Sequence, residues 1–582
     1  MNLRTKAILL GGLFVTLCWP SPTLCGVPQN SKTHRVEAGE TAYSIAKTYN
    51  ILLKDLYALN PGVENGVRTG AELVLPQSNV VNPTSSGEKY VYHTIERKET
   101  LYSVSRKYSV AMQDIMDANV GLTAETFQEG KVIRIPRGLI QKPEQAITYR
   151  LHKVRKGETI YSIAKSYNLT SDALTDANPD LKSSNLKKGF MLKIPQYSEK
   201  KLTERDSVVQ EEKAHNLLRE RSKVKAVNTV RIGLLFPFSD KNDAQSNRFV
   251  EYLEGFLLAV EDFKQKGYSA EVYVFDIESG VNTNRLTALL ETEELKTVNV
   301  LIGGISQDQI GVLSDFAKKQ KIRYVIPFNS KNDDVLSNDY VFQMNTPYNY
   351  LFSAISQTFV NRFKTAKVIF VNDSGDDKAD FITSLQSELQ KNKISNTSVQ
   401  LSENTGTELS ALLSTTKPNI IVPTSGSSAT LNKLVSVLQP LKKDNPDLQF
   451  SLFGYPEWQT YNLQTQDNLR KLDTYFYSSF FIGANQNSAK LFSQRFKSRY
   501  GKDLMNVYPK FGLLGYDIGN YFLNIVKLYG VNFDNHVTKY QINSIQSALS
   551  FKRVNNWGGF INTGFYFVHY GTSGTEKTDY SK

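Results

Sequence analysis

Apolar positions fall along this chain in two textures, with the change near residue 228. In the first texture one short pattern occurs three times. An alternating run opens each copy, from His34 to Val36, His93 to Ile95 and His152 to Val154, and suits a strand. A polar turn follows, with Thr41, Thr100 or Thr159 at a helix N-cap position. Then come apolar positions at helical spacing: Tyr43, Ile45, Ala46 and Tyr49, repeated as Tyr102, Val104, Ser105 and Tyr108, and again as Tyr161, Ile163, Ala164 and Tyr167. That spacing predicts one buried helix face and places the tyrosines in the core. A second stripe follows, Leu53, Leu56 and Leu59 in the first copy and Met112, Ile115 and Ala118 in the second. Asn60-Pro61, Asn119-Val120 and Asn178-Pro179 stop it. Each copy closes on a strand ending in proline, at Pro76, Pro136 and Pro195. The predicted unit is strand, helix, helix, strand.

From Val230 the pattern changes to buried strands alternating with helices. Strands are expected at residues 230–236, 271–275, 298–302, 323–327, 367–371, 419–423 and 450–453. The helix after Asn247 carries Phe249, Leu253, Phe256, Leu257, Val260 and Phe263 on one face. Such alternation predicts parallel sheets with right-handed crossovers. The segment is too long for one such sheet, so two lobes with a cleft are expected. The fold class is therefore multidomain: three small α+β (βααβ) units at residues 33–77, 91–137 and 150–196, and a two-lobed α/β domain at 229–572. Residues 197–228, dense in Lys, Arg and Glu, form a linker between them, either an exposed helix or disordered.

A unit with the pattern [VI]-x-x-G-E-T-x-Y-S-I-A, then N-P, then a terminal I-P, resembles the LysM family. The resemblance implies binding of N-acetylglucosamine-containing glycan, peptidoglycan or chitin, in a shallow groove between the loop that opens the first helix and the loop after the second. Carried onto this chain, the groove residues are Gly39, Glu40, Thr41, Asn60 and Pro61; Gly157, Glu158, Thr159, Asn178 and Pro179; and, in a middle copy that departs from the pattern, Glu99, Thr100 and Asn119. Lys98 stands there in place of glycine and Val120 in place of proline, which predicts a reshaped or silent groove. The residues alone leave two readings open. Gly39 and Gly157 serve a turn and Thr41 and Thr159 cap helices, or the backbone groups of these loops bond acetamido groups.

The second texture has its own resemblance. RIGLLFPFS from Arg231, LEGFLLAVEDF from Leu253, LIGGIS from Leu301 and FAKKQKIRYVIPFNS from Phe316 are similar to the type I periplasmic binding proteins, which include branched-chain amino-acid receptors. The resemblance implies two lobes closing on a small ligand or, in some relatives, a protein partner. It implies pocket positions at Ser306, Asn329, Ser330 and Glu457. Phe328 is bulky where amino-acid receptors keep a small residue, and residues 372–377 lack an aromatic that those receptors carry, so a standard amino-acid site is not expected.

The remaining signals bound the reading. Arg4 and Lys6 precede an apolar run from Ala7 to Leu17, and small or turn-forming residues follow to Gly26, which reads as a secretory signal over residues 1–26. That run is too short to span a bilayer and no other is long enough. Both cysteines, Cys18 and Cys25, lie within residues 1–26, and cleavage near Cys25 or Gly26 leaves a mature chain without thiols. The formal charge of +12 suits an exported protein near wall or outer-leaflet polyanions rather than nucleic acid. The six histidines show no H-x-H or H-E-x-x-H spacing, and no nucleophile elbow is present, so no metal, cofactor or catalytic residue is expected. The expected protein is a non-enzymatic component of the periplasm or cell envelope, associated with the outer membrane if it is tethered there. It binds peptidoglycan through its repeats and offers a cleft to a small ligand or a wall protein. The alternatives are a wall-anchored solute receptor and a wall hydrolase whose carboxylates carry no sequence signature.

Overall fold

The structure is a computed structural model. It describes residues 33–36, 45, 56, 59–60, 71–75, 89–137, 145–179, 186–199, 204–220, 224, 226–239, 244–280, 282–330, 332–375, 377–483, 486–571 and 574–579. The signal segment lies outside them, as do Gly39, Glu40, Thr41 and Pro61.

Each repeat closes as an antiparallel strand pair, β1 (Thr33–Arg35) with β2 (Glu72–Val74), β3 (Tyr90–Thr94) with β4 (Val132–Pro136), and β5 (Gln145–Lys153) with β6 (Met191–Glu199). Two helices pack on the pair: α1 (Leu101–Tyr108) and α2 (Met112–Ala118) in the second repeat, α3 (Ile160–Ser166) and α4 (Ser171–Asp176) in the third. The apolar stripes read from sequence supply the cores, Val104, Ile115, Ile133 and Ile135 in one and Ile163, Leu174, Leu192 and Ile194 in the other. Residues 204–220 of the linker form a helix, α5 (Glu204–Glu220). It does more than separate domains, because Ala214 and Leu218 are buried in the core of the second repeat.

The two-lobed domain starts with β7 (Thr229–Phe236), helix α6 (Ala244–Gln265), β8 (Ser269–Asp276), β9 (Val300–Gly303), β10 (Arg323–Ile326) and β11 (Val341–Gln343). The chain then crosses to the second lobe for β12 (Lys367–Asn372), β13 (Asn396–Gln400), β14 (Asn419–Pro423), β15 (Phe450–Gly454) and β16 (Thr474–Ser478). It returns for the helix Phe511–Tyr529, β17 (Phe551–Arg553) and β18 (Phe560–Asn562), and crosses again to β19 (Tyr566–Gly571) and β20 (Gly574–Asp579). The lobes hold seven-stranded sheets of order β17-β18-β11-β10-β9-β7-β8 and β13-β12-β14-β15-β16-β19-β20. Their central strands pair in parallel and are buried along their length, the consequence of helices on both faces. The additional strands β17 to β20 pair antiparallel at the ends of the two sheets.

In the first lobe α6 lies against Phe511–Tyr529 so closely that a Cβ on Gly255 would overlap the Gly512 carbonyl, and one on Gly515 the Tyr252 carbonyl. Asp517 in the latter helix accepts the backbone N–H groups of Ile545, Gln546 and Ser547 at 2.8, 2.9 and 2.8 Å. The Phe480 to Ser547 bridge then joins that segment to the chain returning from the second lobe.

Candidate glycan-binding faces and receptor cleft

The polar residues of the repeats fall into two groups, those used to build the unit and those left at its rim. In the second repeat His93, only 5% exposed, places Nε2 2.7 Å from the Glu99 carboxylate and Nδ1 3.1 Å from the Tyr108 hydroxyl. The same carboxylate accepts the Glu96 N–H at 2.8 Å. The third repeat copies this with His152 to Glu158 at 2.9 Å, His152 to Tyr167 at 3.0 Å and the Arg155 N–H to Glu158 at 2.7 Å. The glutamates therefore brace the turn that opens the first helix. Burial acts to raise the Glu99 carboxyl, and the Glu96 N–H, His93 and Lys107 outweigh it, leaving the group below its ordinary value of 4.5. Stability from such a carboxylate is present above its unfolded value and lost as pH falls through the folded one. Acid unfolding followed by circular dichroism should accordingly show a shallower loss below about pH 4.5 for Glu99→Gln than for the native chain.

Asn60, Asn119 and Asn178 repeat a second brace. Each is buried, donates to the carbonyl four residues earlier (Leu56, Ile115 or Leu174, 2.8 Å in every case) and exchanges two bonds with the last strand. The donor bonds reach Val74, Arg134 and Lys193 at 2.7, 2.6 and 2.7 Å, and the N–H groups of those residues return 2.7, 2.8 and 2.8 Å bonds. An amide used at both ends in this way fixes the loop after the second helix rather than reaching outward. Thr100 and Thr159 form capping boxes with Ser103 and Ser162.

What remains at the rim differs between copies. In the third repeat Gly157, Thr159 and Pro179 are exposed, as is Tyr161 at 67%. The helical spacing that places Tyr161 in the core is thus misleading there, whereas its counterpart Tyr102 is 8% exposed. The cause is α5. Ala214 and Leu218 pack into the cluster that holds Tyr102, and the Thr100 hydroxyl donates to Glu211 at 2.9 Å. Lys98 has not reshaped the turn, since it adopts φ 67 where Gly157 adopts φ 88. Lys98→Gly should relieve that left-handed strain and stabilise the second repeat by about 0.5–1 kcal/mol, read from urea melts.

The second repeat is also held from its strand side. Tyr92 lies 5.5 Å from the Trp557 ring, and Arg134 stacks between Tyr90 and Trp557 at 4.5 and 4.9 Å. Asn556 donates to the Val132 carbonyl at 2.7 Å and accepts the Gly121 N–H at 2.9 Å. The matching face of the third repeat, Tyr149, Leu151 and Met191, is exposed. A helical stripe through Glu211, Ala214 and Leu218 was readable in the linker; Trp557, in a turn with no pattern of its own, was not.

In the two-lobed domain Ser306, Asn329 and Ser330 follow β9 and β10 on the first lobe, and Glu457 follows β15 on the second. Ser306 caps its helix in a box with Gln309, and the Ser330 carbonyl accepts a 3.0 Å bond from Gln343. Phe328 sits within 5.3–5.7 Å of the rings of Phe236, Phe249, Tyr252 and Phe511. Glu457 is met by Lys378 at 2.6 Å, and that ammonium also lies 3.3 Å from Asp377 and 4.9 Å from the Tyr455 ring centre. A carboxylate already matched by the protein's own ammonium has little attraction left for a ligand's. A cavity of about 340 Å³ beside the end of β8, lined by Ser239, Asp276, Glu278 and Arg285 among others, includes none of the four expected positions. Among the described residues no group of three or more His, Cys, Asp or Glu is placed to hold a metal ion.

A model of the periplasmic binding protein family matches residues 229–553, more than half of the chain. The chain belongs to that family. Ahead of its periplasmic binding protein domain, the LysM domain model matches residues 34–76, 93–136 and 152–195, which bears out both resemblances. The chain is similar to the secreted LysM effector ECP6 of Passalora fulva, 25% identical over 31% of this chain and 83% of that protein. It is 24% identical to a probable N-acetylmuramoyl-L-alanine amidase AmiB of Haemophilus influenzae over 28% of this chain and 47% of that one, and 26% identical to the amidase sle1 of Staphylococcus epidermidis over 29% and 52%. It spans about half the length of these two amidases, and they match its LysM part alone. A solved branched-chain amino-acid transporter protein of Rhodospirillum rubrum aligns with 60% of this chain and all of its own at 12% identity and TM-score 0.44; LivJ of Streptococcus pneumoniae, bound to isoleucine, aligns with 60% and 99% at 16% and 0.34.

Proposed function

We propose that this protein is a non-enzymatic component of the cell envelope that binds peptidoglycan through its LysM modules and presents its periplasmic binding protein domain to a partner. Both domain types are binding modules, and LysM modules point to glycan. The observation that carries the reading is the rim of the third module. Gly157, Thr159, Tyr161 and Pro179 are exposed together around loops whose shape is fixed from behind by Glu158 and Asn178. A glycan meeting such a rim finds backbone groups and one aromatic ring already in place, so little ordering cost opposes binding.

The receptor cleft supports a partner other than a free amino acid. Phe328 fills the first lobe's side with rings, and Lys378 neutralises Glu457 on the other. Wall glycan and a receptor domain of this family suit a location outside the cytoplasm, and no helix among the described residues is long and apolar enough to cross a membrane. A thermal-shift series separates the readings: branched-chain amino acids at millimolar concentration should leave the melting temperature unchanged, whereas a rise of several degrees would identify a solute receptor.

A further inference from the structure

The second LysM module carries the same loop frame as the third, yet a helix of the same chain lies across it. Glu211 of α5 accepts from the hydroxyl of Thr100, the residue that opens α1, and Ala214 and Leu218 bury Tyr102. In the third module the equivalent Thr159 and Tyr161 are exposed. The cover is imperfect. The Tyr102 hydroxyl and the second carboxylate oxygen of Glu211 are both buried without a hydrogen-bond partner. Unmatched polar atoms are a standing cost that a hydroxyl-rich ligand would remove. The apolar part of the cover rests on few side chains, for Val208 and Val209 of the same helix face solvent.

We propose that α5 is a displaceable latch: it shields the sugar-binding face of the second LysM module, and wall glycan competes it away. The inference rests on the glycan-binding reading of the modules. Glycan and α5 exclude each other on one face, so occupancy by one lowers the affinity of the other by linkage. Because α5 lies a few residues ahead of β7, its release would loosen the join between the modules and the receptor domain. Contact with the wall would then be felt by the receptor domain.

The test uses the full chain and a soluble N-acetylglucosamine pentamer. Calorimetric titration of native protein and of Leu218→Glu should show one site bound about 10-fold more tightly in the variant than in the native chain, and amide exchange should report residues 204–220 unprotected in the variant and deprotected in the native chain at saturating pentamer. A second variant, with residues 204–220 replaced by a Gly/Ser segment of equal length, should show the same gain in affinity. Unprotected α5 with unchanged pentamer affinity would overturn the latch while leaving the glycan reading intact. If neither native nor variant chain binds pentamer, both fall.

Discussion

Asp534→Ala is expected to lower the stability of the receptor domain by about 3–5 kcal/mol, the range for removing one member of a buried ion pair. Asp534 bridges two guanidinium groups, Arg323 at 2.8 Å and Arg553 at 2.8 Å, with all three side chains largely out of solvent. Removing the carboxylate leaves two buried cations facing each other. Arg553 also donates to the Gly558 carbonyl at 2.7 Å and lies against Gly121 of the second LysM module, where a Cβ would come within 2.7 Å of it. The Trp557 turn that holds that module should therefore loosen in the same variant, visible as a change in tryptophan emission below the melting temperature. Burial acts to raise the Asp534 carboxyl, but Arg323 and Arg553 hold it below the ordinary carboxylate value. Its contribution is present above that value and lost as pH falls through the folded one, so the native chain should weaken on acidification more steeply than Asp534→Asn.

The second large effect concerns the rim of the third module. Tyr161→Ala should weaken binding of the full chain to insoluble peptidoglycan by about 5- to 10-fold, in the range for an aromatic anchor. Stability should change by less than about 0.5 kcal/mol, because the ring is mostly solvated. A loss of affinity without loss of stability distinguishes a ligand contact from a packing residue. Thr159→Ala is a less clean probe, since it also removes a helix cap worth about 1 kcal/mol.

The frame of the second and third modules was legible because their residues obey local rules. N-cap threonines and apolar spacing each report on a few neighbouring positions, and the buried strands of the receptor domain announce themselves as apolar runs; the expected ending at Pro195 is not observed, since β6 pairs with β5 as far as Glu199. The strands β17 to β20 were not foreseen; β18 pairs in parallel with β11 and β19 antiparallel with β16, partners far away in sequence. Recurrence of Glu, Thr and Asn marked the right loops without separating contact from support. Glu99, Glu158, Asn119 and Asn178 bond inward, which only the folded register reveals. The two tyrosines Tyr102 and Tyr161 hold the same repeat position and differ in exposure because α5 reaches one and not the other, a fact with no trace in either repeat. Lys378 is a similar case, meeting Glu457 from a different segment of the second lobe.

The central claim is that wall glycan is held by the LysM modules and not by the receptor domain. Sedimentation with purified insoluble peptidoglycan tests it most directly, comparing a fragment of residues 27–197 with one of residues 227–582. The first should pellet with the wall and the second should remain in the supernatant; a first fragment left in solution would contradict the account.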